Sequence, residues 1–195
     1  MIGEQALKQE YTVAKKKSAK PMLWISMISM VMFFAGLTSA YVISMKRDDW
    51  VSFDLPDAFY VSTVLIVASS ITLFFSQRFL KQNKRQLSLI MVLVTLFLGI
   101  GFIWQQYAGF NQLKSIGLFF TGPESTVSTS FIIGITFIHV LHLFAGIAVL
   151  LVVIYNHFKY KYKSDDMLGF ELGAIFWHFV DILWIYLFFF FYFIR

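Results

Sequence analysis

Five ionisable side chains lie within long apolar stretches of this sequence: His139, His142, Glu171, His178 and Asp181. Histidine and carboxylate side chains of this kind can ligate haem iron, hold a metal ion, pass protons or hydrogen-bond between helices. The densest group is FWHFVDILW, residues 176–184, where one histidine and one aspartate interrupt an aromatic and aliphatic run. An ionisable group in hydrocarbon is costly and is suspected of a purpose.

Helical phase limits the choices. At 100° per residue, Glu171 and His178 differ by about 20° and His178 and Asp181 by about 60°, so the three share a face. His139 and His142 share a face one turn apart. They therefore cannot be the two axial ligands of one haem, and a haem reading must pair histidines from two helices, such as His142 and His178. Four histidines and two acids are too few for a di-iron membrane site, and His157 stands apart from the others. A proton path through Glu171, His178 and Asp181 is a third reading. In the fourth, these groups hydrogen-bond across helices, fastening the last span to the one before it or to another subunit. Such polar pairs contribute about 1 kcal/mol each in a membrane. Trp177 and Trp184 are seven apart and share a face, and either indole N–H could satisfy the Asp181 carboxylate. The adopted reading is the fourth. It gives a structural polar seam of His139, His142, Glu171, Trp177, His178, Asp181 and Trp184, with no catalytic, cofactor-binding or metal-binding residue assigned.

The elements that carry these residues follow from composition. Charged residues make up 14% of the chain and hydrophobic ones 58%, whereas a soluble domain is roughly 25% charged. Five apolar runs approach or exceed the roughly 20 residues needed to cross a bilayer, at 22–45, 58–78, 87–107, 127–156 and 169–194. They predict an all-α membrane protein, a bundle of five transmembrane helices preceded by a basic tail over 1–21. That tail is poor in large apolar residues and reads as disordered or interfacial. The first span is too long for a signal peptide, so it is expected to be retained. Gln105, Gln106 and Tyr107 read as interfacial, and 108–126 as an outer loop. Ala35, Gly36, Ser39 and Ala40 would let another helix approach closely. No internal repeat is visible.

Basic residues orient the chain. Lys8, Lys15, Lys16, Lys17, Lys20, Arg78, Lys81, Lys84, Arg85, Lys159, Lys161 and Lys163 fall on the side of the N-terminus, against Lys46, Arg47, Lys114 and Arg195 on the other. This predicts a cytoplasmic N-terminus and an external C-terminus. The net charge of +5 is thereby assigned to cytoplasm and anionic lipid and not to nucleic acid. With no cysteine, disulfides and thiolate metal sites are excluded. Phosphate loops, a GxSxG elbow and an HExxH motif are absent.

Three segments resemble one family. GFELGAIFWHFVDILW (169–184) is similar to the Gly-Phe-Glu…Trp-His-Phe-Val-Asp signature of subunit III of haem–copper cytochrome c oxidases. ITFIHVLHLFAG (135–146) resembles that family's His-x-x-His-x-x-x-Gly segment, and ISMVMFFAG (28–36) its Ser-Glu-Val-Met-Phe-Phe-x-Gly segment. The matches occur in family order. Against the family's seven-helix form, the chain is expected to begin at the equivalent of the third helix, without the two helices whose V-shaped cleft holds lipid. Met30 stands where the family has a buried glutamate, so roles tied to that carboxylate do not carry over.

The resemblance implies a supporting subunit without a redox centre, packed against subunit I. Haem and copper are expected in subunits I and II. The complex would reduce oxygen to water with electrons from cytochrome c and pump protons, in a bacterial cytoplasmic (inner) membrane. Membrane lipids are further expected partners, as is a larger respiratory supercomplex. The alternatives are subunit III of a quinol oxidase and a free-standing b-type haem cytochrome.

Overall fold

In a computed structural model, the backbone is described except at 1, 49, 52–53, 120–121, 123–124, 163–166 and 195. The side chains of 2–9, 11 and 12 are also undescribed. Lys163 and Arg195, counted above for orientation, lie outside the described residues, as does the Lys8 side chain. The chain forms α1 (Ile2–Ser44), α2 (Asp57–Lys81), α3 (Arg85–Ser115), α4 (Val127–Phe158) and α5 (Leu168–Phe193). No strand occurs among the described residues. All five helices are long and apolar enough to cross a membrane.

Two boundaries differ from the expected ones. The tail continues α1 back to Ile2 and carries Pro21 within the helix. Its Ala, Lys, Glu and Gln residues are strong helix formers, so propensity prevails over the missing proline donor. Lys20 Nζ also lies 2.7 Å from Glu171 Oε2, tying this part of α1 to the start of α5. At the other boundary, α3 runs on to Ser115 and absorbs residues read as loop. Packing on the start of α2 explains the extension. Gln106 is buried, not interfacial, and its Nε2 donates to Ser62 Oγ at 2.9 Å. Gln112 Oε1 accepts from the Ala58 backbone N–H at 3.4 Å, and Leu113 is fully buried.

The buried residues repeat in steps of three and four. On α2 they run Phe59, Ser62, Ile66, Ser69, Leu73, Ser76, Leu80. On α3 they run Ser88, Val92, Thr95, Gly99, Phe102, Gln106, Gly109, Leu113. The same spacing continues on α4 through Ile132, Thr136, His139, Leu143, Gly146, Leu150, Val153 and His157. A period of 3.5 keeps one seam turned toward a neighbour along the whole helix, as in left-handed bundles. Many seam positions are Ser, Thr or Gly, the small residues that bring helices together where lipid tails weaken any hydrophobic drive.

Helices α2 to α5 form the closed group, and α1 lies outside it against α4 and α5. Half of the most apolar stretch of α5 is buried, against 17% for α1. Hydroxyls join α2 to α3 along their length, with Thr72 and Thr95 Oγ1 atoms 2.8 Å apart and Ser76 Oγ donating to the Ser88 carbonyl at 2.8 Å. On the outer side of the bundle, α1 meets α5 through Thr38 and Tyr186, whose hydroxyls are 2.9 Å apart.

Glycine marks where this packing is tightest. A methyl group at Gly99 would lie 2.6 Å from Trp177 Cη2, whereas nothing lies within 4 Å of one at Gly36. Gly99→Ala is predicted to destabilise by about 1–3 kcal/mol, the usual cost of overpacking. Gly36→Ala should be neutral or stabilising by up to about 1 kcal/mol through helix propensity. Thermal unfolding of the two purified variants tests the pair, and equal melting temperatures would contradict this packing.

Candidate functional site

The segment FWHFVDILW occupies the middle of α5, and all four of its polar side chains turn to hydroxyls of α2. Trp177 Nε1 donates to Ser69 Oγ at 3.1 Å, and Trp184 Nε1 donates to Thr63 Oγ1 at 3.0 Å. Asp181 Oδ2 is in close hydrogen-bond contact with Ser70 Oγ and lies 3.4 Å from Ser69 Oγ. His178 Nδ1 lies 2.9 Å from the same Ser70 Oγ. Ser70 therefore bridges the histidine and the aspartate. The register is antiparallel, residue numbers rising on α5 as they fall on α2.

This arrangement changes three expectations. The seam joins α5 to α2, whereas the sequence reading joined it to α4 or to another subunit. Neither indole reaches Asp181, because each meets a hydroxyl first. Glu171 does not join His178 and Asp181 in one chain of contacts: it lies in the first turn of α5, 28% exposed, and pairs with Lys20.

The histidines of α4 face elsewhere. His139 is fully buried in an aromatic box, its ring centroid 5.2 Å from that of Trp184, 6.0 Å from Phe102 and 6.4 Å from Phe34. Neither of its ring nitrogens has a partner among the described residues. His142 Nδ1 donates to the Ile138 carbonyl of its own helix at 2.8 Å, and its ring meets Phe34 of α1 at 5.6 Å. His142 thus faces α1 while His178 faces α2. The bundle does not bring together the histidine pair that a haem between α4 and α5 would need. His157 lies apart, where its Nε2 donates to the Arg85 carbonyl at 3.2 Å and the Arg85 guanidinium meets the His157 carbonyl. Among the described residues, no group of three or more His, Asp or Glu is placed to hold a metal ion.

Sequence reasoning missed the residues that receive these side chains, Thr63, Ser69 and Ser70. Their signal was present: Ser62, Ser69 and Ser76 recur every seven residues in the second span, and Thr63 and Ser70 sit next to the first two. Once spans two and five are neighbours, Trp177 and Trp184 fall in register with Ser69 and Thr63.

Two buried polar groups of opposite kind give a prediction. The Trp177 N–H is satisfied by Ser69, whereas the His139 nitrogens have no partner among the described residues. Removing a partner from a buried donor costs about 1–3 kcal/mol, while replacing an unpaired polar group by an apolar one is near neutral. Ser69→Ala should therefore lower stability by that amount, and His139→Leu should leave it unchanged or raise it. Chemical or thermal unfolding followed by circular dichroism ranks them, and the opposite order would refute the assignment.

Comparison with known proteins gives a consistent result. Residues 1–195 match the sequence profile of the family described as cytochrome c oxidase subunit III. The chain is 24% identical over 198 residues to cytochrome c oxidase subunit 3 of Hippopotamus amphibius, covering 96% of this chain and 74% of that one. It is 26% identical, with the same coverage, to that of Latimeria chalumnae. It is 31% identical over 135 residues to that of Pyricularia grisea, covering 69% of this chain and 47% of the fungal one.

Proposed function

Because this chain belongs to the cytochrome c oxidase subunit III family, a family of haem–copper oxidase subunits, we propose that it supports the oxidase without carrying a redox centre. The complex it serves is a bacterial terminal oxidase of the cytoplasmic membrane. It passes electrons from cytochrome c to oxygen and pumps protons, with haem and copper in subunits I and II. The N-terminus lies in the cytoplasm and the C-terminus outside, in keeping with the distribution of lysine and arginine.

One observation carries the supporting role. Trp177, His178, Asp181 and Trp184 of the family signature each meet a hydroxyl of α2. A hydroxyl accepting from an indole, or bridging an imidazole and a carboxyl, fixes the relative height and rotation of two helices. Residues engaged in this way shape the bundle, and the bundle in turn presents its outer faces to the catalytic subunits. The polar seam is accordingly a structural fastening.

Purification of the complex through a tag on this chain tests the proposal. A cytochrome c-oxidising preparation containing haem and copper is the expected result. After dissociation, the Soret absorbance should stay with the other subunits. Stoichiometric haem remaining on this chain alone would overturn the supporting role, and oxidation of quinol in place of ferrocytochrome c would overturn the assigned donor.

A further inference from the structure

On the outer face of α5, beside α2, His178 is half-buried. Its Nδ1 is held by Ser70, and its Nε2 has no hydrogen-bond partner among the described residues. Unlike the nitrogens of His139, this atom is not enclosed by the chain. The residue lies about 15 Å along α5 from Leu168 and about 22 Å from Phe193, counting 1.5 Å per residue. That places it well inside a hydrocarbon core about 30 Å thick, beyond the reach of lipid headgroups. Phe74, one turn from Ser70 on α2, and Ile182, one turn from His178 on α5, are both exposed and apolar. Acyl chains offer no hydrogen-bonding group, so a bare ring nitrogen facing them would be left unsatisfied.

The bridge by Ser70 sets the polarity of that nitrogen. A serine hydroxyl has one hydrogen, so between Asp181 and His178 it can donate to only one. That hydrogen goes to Asp181 Oδ2, so His178 Nδ1–H donates to Ser70 Oγ. The proton of the neutral imidazole then resides on Nδ1, and Nε2 points outward as an acceptor.

From this geometry we infer that the α2–α5 face around His178 is an interface with another membrane-spanning subunit of the oxidase. Nε2 accepts there from an N–H or O–H donor on a helix of that neighbour. The partner is protein and not lipid, because at this depth acyl chains supply no donor and a protein helix can. The inference rests on the proposed membership of an oxidase complex and adds to it the docking face and the polar contact at its centre.

Two measurements on the intact complex test it. Phe74→p-benzoylphenylalanine places a photo-crosslinker one turn from Ser70 on the exposed face. Irradiation should give an adduct with another subunit, and labelling of lipid alone would overturn the interface. His178→Leu keeps the bulk and removes the acceptor. Loss of one interhelical hydrogen bond should raise the fraction of this subunit released by detergent roughly three- to tenfold. Release equal to that of the unaltered complex would overturn the role of His178 at the interface. A tagged chain that co-purifies with no oxidase subunit would instead remove the functional reading itself, and this inference with it.

Discussion

The bundle depends on the insertion of Trp177 between three other helices. Its ring lies over Gly99 of α3 and Gly146 of α4, and its N–H ends on Ser69 of α2. One side chain of α5 thereby sets its distance to three neighbours at once. Seven residues on, Trp184 repeats the arrangement with Thr63 of α2, Phe102 of α3 and His139 of α4. The two indoles form a column inside the four-helix group. Gly99 and Gly146 are required beneath the first, because a Cβ at either position would lie 2.6 or 3.2 Å from its ring.

Around that column, the choice of seam residues follows from the solvent. In a bilayer, lipid tails compete on equal terms for apolar surface, so close approach and hydrogen bonding distinguish one packing from another. Hydroxyls on α2 serve two neighbours from opposite edges: Ser62, Thr72 and Ser76 turn to α3, while Thr63, Ser69 and Ser70 turn to α5. Helix α2 is thus the shared strut of the bundle. Among the described residues, helix α1 shows no such ladder of hydroxyls. It is held by aromatic contacts of Phe34 and Tyr41, the Thr38–Tyr186 bond and the Lys20–Glu171 ion pair.

Span number and type were legible in the sequence because bilayer thickness imposes them on every crossing helix. Helical phase also identified which polar residues of α5 share a face. It could not say which neighbour that face meets, since phase is a property of one helix and adjacency a property of the bundle. The sequence reading therefore turns the seam to α4, whose histidines are conspicuous, or to another subunit, while the receiving hydroxyls of α2 are small residues that stand out little in an apolar run. Gln106 was misplaced for a related reason. A glutamine near a span end favours the interface until a buried serine opposite it, here Ser62, makes the interior equally good. The basic tail lacks the large apolar residues of a packed segment, yet as a continuation of an existing helix it escapes the cost of nucleation that an isolated segment would bear.

The remaining asymmetry lies between the two most central histidines. His139 is sealed among Phe34, Phe102 and Trp184, where its imidazole acts chiefly as a flat ring filling the space beside the Trp184 indole. His178 is fixed at one nitrogen and open at the other. Burial on all sides leaves a polar ring with nothing to report outside the chain, whereas a ring held at one edge carries the geometry of the interior to the surface. A displacement of α2 against α5 would move Ser70, reorient the imidazole, and alter the contact it makes beyond this subunit. In a subunit whose four signature side chains are engaged with α2, that open nitrogen is where the seam can act on the rest of the oxidase.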